Sequence, residues 1–316
     1  MLHRLGAIGC VLLAERLRSG RDRVTDLKLG CPVWACADWR GSLYPARTQP
    51  RDFLREYAKI FPTVEGNSTF YALPPAHCVS RWREETPPEF RFCFKFPKVI
   101  THRLMLRHAS AETNEFLQRM APMHDRLGPL MLQLGPRFGP QSLDVLDRYL
   151  RELSDEFSYA VEVRHPEFYS DPLAEAALNQ LLRQRGVDRV LFDSRCVHAA
   201  CVNDSSTREA VSRKPRLPLR TQSSGERPIV RFVGQNAVEP AREYLRDWIE
   251  PVGDWLRNGK SVYFYTHTPD DKRAPGLARL FEQMLQLAVP ELPLLPDFHH
   301  AGIEPQQAGL FEQVAP

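Results

Sequence analysis

Residues 90–96 read Phe90-Arg-Phe-Cys-Phe-Lys-Phe96, a strict alternation of aromatic with polar or thiol side chains. A period of two belongs to a β-strand whose two faces meet different surroundings. The phenylalanines make a face for packing against helices, which leaves Arg91, Cys93 and Lys95 on the inner side. Seven further short β-rich runs are Asp26–Val33, Thr63–Glu65, Pro129–Leu134, Tyr159–His165, Arg189–Ser194, Ile229–Gly234 and Ser261–His267. Apolar residues at helical spacing lie between them: Phe53, Leu54, Tyr57, Ala58 and Phe61; Leu143, Leu146, Tyr149, Leu150 and Leu153; Leu178, Leu181 and Leu182; Tyr244, Leu245, Trp248 and Trp255. Pro50, Ser142 and Asp171-Pro172 supply helix-start signals.

Eight strand–helix units at a spacing of roughly 30 residues predict parallel strands joined by helical crossovers, closed into a single α/β TIM (β/α)8-type barrel. No GxGxxG follows the first strand and no GxxxxGK[ST] occurs, so the common nucleotide-binding α/β folds lose their signatures. The barrel is expected over 27–290, after an N-terminal extension at 1–26 and before a Pro-rich tail at 291–316 (Pro293, Pro296, Pro305). Residues 203–228, polar and rich in Ser, Pro and Arg, lack apolar periodicity and are expected to form a long mobile loop.

Composition is that of an ordinary globular chain: 316 residues, 43% hydrophobic, 26% charged, net charge +3. This excludes disordered and collagen-like classes and gives no bulk argument for nucleic-acid or membrane partners. Seven cysteines, an odd number without a CxxC pair, suit reduced cytoplasmic thiols better than a disulfide framework. The apolar stretch Leu5–Ala14 is too short to span a bilayer and lacks a small-residue cleavage site.

Alternation along each strand predicts a ring of polar residues late in the strands, where TIM barrels place their chemistry. It comprises Glu65, Asn67, Lys95, Gln133, Glu162, Arg164, Asp193, Arg231 and His267. The bland reading is a network of paired charges, but buried charge is costly unless fully paired or used.

Several strings resemble a known family. They are Gly30-Cys-Pro-Val-Trp34, Trp39-Arg-Gly41, Tyr44-Pro45, Val64-Glu-Gly-Asn-Ser-Thr-Phe-Tyr-Ala-Leu-Pro74, Arg81-Trp-Arg83, Phe90–Pro97, Ile100-Thr-His102, Leu132-Gln-Leu134, Val161-Glu-Val-Arg-His-Pro166, Phe192-Asp-Ser-Arg195, Ile229-Val-Arg-Phe232 and Thr266-His-Thr-Pro269. From about Leu27 to about Leu287 the chain resembles the YecE-like domain-of-unknown-function family (number seventy-two), and within it the YecE branch. The resemblance implies a TIM barrel and no established reaction. Many members of that family have Ser-Gly-Trp at the opening and Arg-x-His-Gly in the seventh strand. Here those positions read Pro32-Val-Trp34 and Arg231-Phe-Val-Gly234.

The leading expectation is an enzyme, an isomerase or hydrolase, acting on a small anionic substrate such as a sugar phosphate. Arg164, Arg231 and Lys95 would hold the anion. Glu65 and Glu162 would form the acid/base pair through unequal burial, with Asp193 orienting a hydroxyl. Asn67, Gln133, Trp34, Tyr71, His102 and His267 complete the expected substrate contacts. Lys95 would serve as a Schiff-base amine only with a depressed pKa, which a carboxylate-lined pocket opposes. A second reading gathers Glu65, Glu162, Asp193 and His102 or His267 around a divalent metal for metal-assisted isomerisation or phosphodiester hydrolysis, though no HxH or HExxH spacing favours it. A third makes the chain a nucleic-acid-binding module, through Arg208, Arg213, Lys214, Arg216, Arg220 and Arg227 with Trp34, Trp39, Phe70 and Tyr71 as stacking surfaces.

Overall fold

A computed structural model describes residues 26–298. The expected extension before Asp26 and the end of the tail lie outside those residues. Eight strands occur where the alternation placed them: β1 (Leu27–Cys31), β2 (Thr63–Gly66), β3 (Arg91–Phe94), β4 (Leu130–Gln133), β5 (Tyr159–Glu162), β6 (Asp188–Asp193), β7 (Ile229–Val233) and β8 (Val262–His267). They run in the order β3-β2-β1-β8-β7-β6-β5-β4, and every pairing is parallel. β3 and β4 complete the ring more loosely, through the bridges Phe92↔Leu127 and Lys95↔Met131. The result is a nearly closed TIM-type barrel with helices between its strands.

Parallel register carries each inward side chain to its neighbour's level. Cys93, Met131, Ala160, Val190, Ile229, Tyr263 and Tyr265 fill the middle of the barrel as one buried cluster. Tyr265 and Thr63 share a hydroxyl hydrogen bond of 2.9 Å within it. Gly30 sits beside Thr63 because there is no room for more: an added Cβ would lie 2.3 Å from the Thr63 carbonyl oxygen. Outward side chains make a second core with the helices. Phe92 and Phe94 stack at 5.3 Å with Trp82 against them, and Phe264 stacks at 3.8 Å on Phe281 of the helix Ala274–Gln286.

The expected mobile loop at 203–228 is built differently. Asp204 accepts the Thr207 N–H and opens the helix Ser205–Arg213. From Lys214 the chain runs as an extended strap from the barrel mouth to its base, with no long helix following β6. Ser194 Oγ and His198 Nε2 hold the carbonyls of Pro215 and Lys214. Arg220 pairs with Glu175, Ser224 bonds the backbone of Val187 and Arg189, and the Arg227 N–H donates to Asp188. These are side-chain anchors to individual backbone groups, invisible to a search for apolar periodicity. The Pro-rich segment also starts inside the folded unit: Leu292 is buried, Phe298 lies against Phe61, and Arg279 holds the Leu295 carbonyl. Among the described residues no helix is long and apolar enough to cross a membrane.

Phe264 is fully buried between sheet and helix. Phe264→Ala is therefore expected to lower stability by about 3–5 kcal/mol in urea unfolding. A loss under about 1 kcal/mol would mean that the outer aromatic layer is not the core of the fold.

Candidate functional site

At the C-terminal level of the barrel one guanidinium gathers the polar ring. Arg231, inward on β7, donates from Nε and Nη2 to Glu65 at 2.7 and 2.8 Å and from Nη1 to Glu162 at 2.6 Å. Arg164 Nε donates to the other Glu162 oxygen at 2.6 Å. Lys95 Nζ lies 3.0 Å from Glu65 Oε1, and His267 Nε2 lies 3.1 Å from Glu65 Oε2. The guanidinium carbons of Arg231 and Arg164 stand 5.3 and 5.4 Å from the Phe192 ring centre. Register explains the convergence: Phe192 pairs with Arg231, Gln133 with Glu162, and Val233 with His267.

Electrostatics follow from this packing. Burial alone would raise both carboxyls, but Arg231, with Lys95 and His267 at one and Arg164 and Lys95 at the other, outweighs it. Glu65 is held well below the usual carboxylate range and Glu162 is lowered to about 2. Burial and the nearby Arg231 push Lys95 down to about 8, the reverse of the rise expected from a carboxylate-lined pocket. Burial pushes His267 down to about 4, so its imidazole is neutral. An ionised Glu65 only accepts, so the His267 proton sits on Nε2 and Nδ1 keeps its lone pair.

Two groups of the mouth were not singled out as site residues from the sequence. Lys214, delivered by the strap, is pushed down to about 8 by burial and Arg231. Asp271, just after β8, is raised to about 6 by burial with Glu65 nearby. Lys214 was legible only as one member of a basic loop, and Asp271 lies just past the last string singled out, Thr266-His-Thr-Pro269.

The other expected site residues divide. Gln133 is buried beside Glu162, and its carboxamide bonds no described residue. His102 stands at the rim, edge-on to Phe70 and hydrogen-bonded to Thr101, its pKa lowered by burial and Arg164. Asn67 spends its amide on the Pro32 carbonyl at 3.0 Å, tying the loops after β1 and β2. Trp34 packs edge-on to Trp82 and Phe92 in the outer aromatic layer, and Tyr71 stands 79% exposed. Asp193 is not in the ring. It pairs with the outward Phe232, and accepts from Trp248 Nε1 at 2.9 Å and from Arg195 Nε and Nη2 at 3.0 and 2.9 Å. The reason is parity, since Phe192 is the inward residue at the end of β6.

Three consequences correct the expected chemistry. Glu65 and Glu162 are both buried and both held as anions, with two Arg231 donors to the first and one to the second, so the unequal burial expected of an acid/base pair is not found. The metal reading loses Asp193, and the two glutamates are already engaged by cations. Among the described residues no three His, Cys, Asp or Glu side chains group as metal ligands. Of the proposed nucleic-acid surface, Trp39 is buried, Arg213 pairs with Glu209 and Arg220 with Glu175.

Both glutamates have folded pKa values below the ordinary 4.5, so the unfolded chain takes up protons first as pH falls. Stability is therefore present above about pH 4.5 and declines toward about pH 2, and Glu162→Gln should make that acid limb shallower in urea unfolding. An unchanged slope would show that the carboxylate does not titrate there. Asp193→Ala strands the buried Trp248 N–H and should cost about 1–3 kcal/mol of stability. Ligand affinity of the folded variant should be unchanged, and a selective loss of binding would return Asp193 to the site.

Comparison with known proteins places this geometry in a lineage. A family model described as "Protein of unknown function DUF72" matches residues 28–300. The UPF0759 protein YecE of Escherichia coli K12 is 42% identical over 283 residues, covering 90% of this chain and 99% of that protein. The UPF0759 protein YunF of Bacillus subtilis 168 is 24% identical over 310 residues, covering 90% and 99%. Among solved structures, a DUF72 family protein of Thermotoga maritima MSB8 superposes with a TM-score of 0.62 at 23% identity, covering 82% of this chain and 99% of that one. One from Enterococcus faecalis V583 gives 0.62 at 19% identity, covering 82% and 97%. The barrel is the fold these solved structures share with this chain, and the chain belongs to the DUF72 family.

Proposed function

We propose that the barrel mouth binds a small anionic substrate, with sugar phosphates the class that fits, and moves a proton on it as an isomerase does. The carrying observation is an excess of cationic donors over the carboxylates that use them. Arg164 hydrogen-bonds the described protein through Nε alone, and Lys214 makes no ion pair among the described residues. Its charge nevertheless bears on Asp271 and His267. Cations drawn into a partly buried mouth with donors left over from their carboxylate partners are suited to oxyanions, and a guanidinium offers two parallel donors to one.

With Glu65 and Glu162 fixed as anions that orient Arg231 and His267, proton transfer falls to neighbouring groups. His267 Nδ1 is a neutral acceptor, and Asp271, near 6, changes charge close to neutrality. A cytoplasmic setting is part of this reading. The six described cysteines, Cys31, Cys36, Cys78, Cys93, Cys196 and Cys201, are all free thiols, which suits a reducing compartment.

Thermal-shift measurements with sugar phosphates against the matching neutral sugars test the reading. Phosphorylated ligands should raise the melting temperature and neutral sugars should not, because ligands stabilise the native state by mass action. Arg164→Ala should lose about 1.5–3 kcal/mol of binding, or roughly ten- to a hundredfold in Kd by calorimetry. Equal response to phosphorylated and neutral sugars would overturn the anion site.

A further inference from the structure

Lys95 is surplus as a counter-ion. Arg231 gives two donors to Glu65 and one to Glu162, His267 adds one to Glu65, and Arg164 adds one to Glu162. Four carboxylate oxygens are thereby occupied before Lys95 is counted. Among the described residues its Nζ has one ion-pair partner, Glu65 Oε1 at 3.0 Å, although an ammonium carries three donors. The amine sits just beyond the end of β3, inside the barrel beside two guanidinium groups, with 7% of its side chain open. The backbone fixes its position: the Lys95 N–H donates to the Gly66 carbonyl, and its own carbonyl accepts from Thr69 Oγ1. Desolvation and the neighbouring cations outweigh Glu65 and Glu162, which raises the share of neutral, nucleophilic amine near neutral pH.

We infer that Lys95 forms an imine with the substrate, and that the substrate carries an aldehyde or ketone carbonyl beside its anionic group. The inference rests on the anion reading above and adds the electrophile. The neutral Nζ attacks the carbonyl carbon, and the C=O π pair moves to oxygen, which takes up a proton. Nζ gives up a proton to His267 Nδ1 or to water. The carbinol oxygen then takes a second proton and leaves as water while the nitrogen lone pair forms C=N. No oxidant or reductant is consumed. Protonated C=N withdraws electrons from the adjacent C–H, which is the bond an isomerase must break.

Borohydride trapping decides the matter. The intact protein is mixed with dihydroxyacetone phosphate or glyceraldehyde 3-phosphate, reduced with sodium borohydride, and read by intact mass and peptide mapping. The expected result is one adduct per chain at Lys95, with the mass of the probe less one oxygen atom. Unphosphorylated dihydroxyacetone should give at least tenfold less, and glycerol 3-phosphate, which lacks a carbonyl, none. Lys95→Arg should abolish the adduct, with its melting temperature reporting the fold, while Lys59→Met, at an exposed lysine paired only with Glu56 in the described structure, should retain it at Lys95. Mapping on the wild-type chain stands even where the arginine variant does not fold. An adduct on Lys214 or scattered over surface lysines overturns the inference. Probes that raise the melting temperature but leave no adduct overturn it too, and leave the anion site standing. Probes that neither bind nor react overturn both.

Discussion

Everything at the mouth depends on Arg231 being charged inside the barrel. Its three hydrogen bonds to Glu65 and Glu162 run at 2.6–2.8 Å, and both carboxylates are essentially sealed from solvent. Either glutamate alone would be an expensive buried charge, and so would the arginine. Together they satisfy one another, yet a buried ion network is seldom more stable than a well-packed apolar layer of equal volume. The level below shows that this barrel can be filled in the apolar manner, with Met131, Ala160, Val190 and Ile229. The change from apolar to ionic filling within one strand, between Ile229 and Arg231, marks where apolar packing gives way to a buried charge network.

The rest of the fold acts to keep that network in place. Below it, the Tyr265–Thr63 hydroxyl pair closes the floor. Outside it, Phe92, Phe94, Phe232 and Phe264 bind the strands to their helices, so each inward residue stays at its level. At its side, the strap after β6 replaces a crossover helix by discrete anchors. An extended segment covers more distance per residue than a helix, so the chain can first build the helix Ser205–Arg213 at the mouth and still return to the base. That route is what places Lys214 over the site.

The fold was legible because a barrel repeats one local rule eight times. Alternation in Phe90–Phe96 assigned Arg91, Cys93 and Lys95 to the interior, and register confirms the same parity for Glu65, Glu162 and Arg231. Asp193 was misplaced because a polar residue at a strand end looks the same on either face, and only its neighbour Phe192 distinguishes them. Trp34 had no direction to read because it follows β1 outside any alternating run, and in the structure it packs on Trp82 and Phe92. The strap was missed because its order comes from hydroxyl, carboxylate and carbonyl contacts between residues far apart in sequence. The charge state of Lys95 was beyond reach for a related reason. It depends on how many cations surround the amine, and Arg231 lies 136 positions along the chain, as the numbering shows.

The departure in the seventh strand gains a physical meaning from the register. Where many members of the family this chain resembles read Arg-x-His-Gly, this chain has Val233, which pairs with His267 on the adjoining strand. An imidazole there would stand beside His267 on one ledge. Val233 instead packs with Phe192, Val197, Ala210 and Leu217, the last belonging to the strap. The same side chain that removes one imidazole from the ledge thus makes an apolar seat for the segment that carries Lys214. The exchange leaves His267 as the imidazole bonded to Glu65 and brings the charge of Lys214 to bear on it.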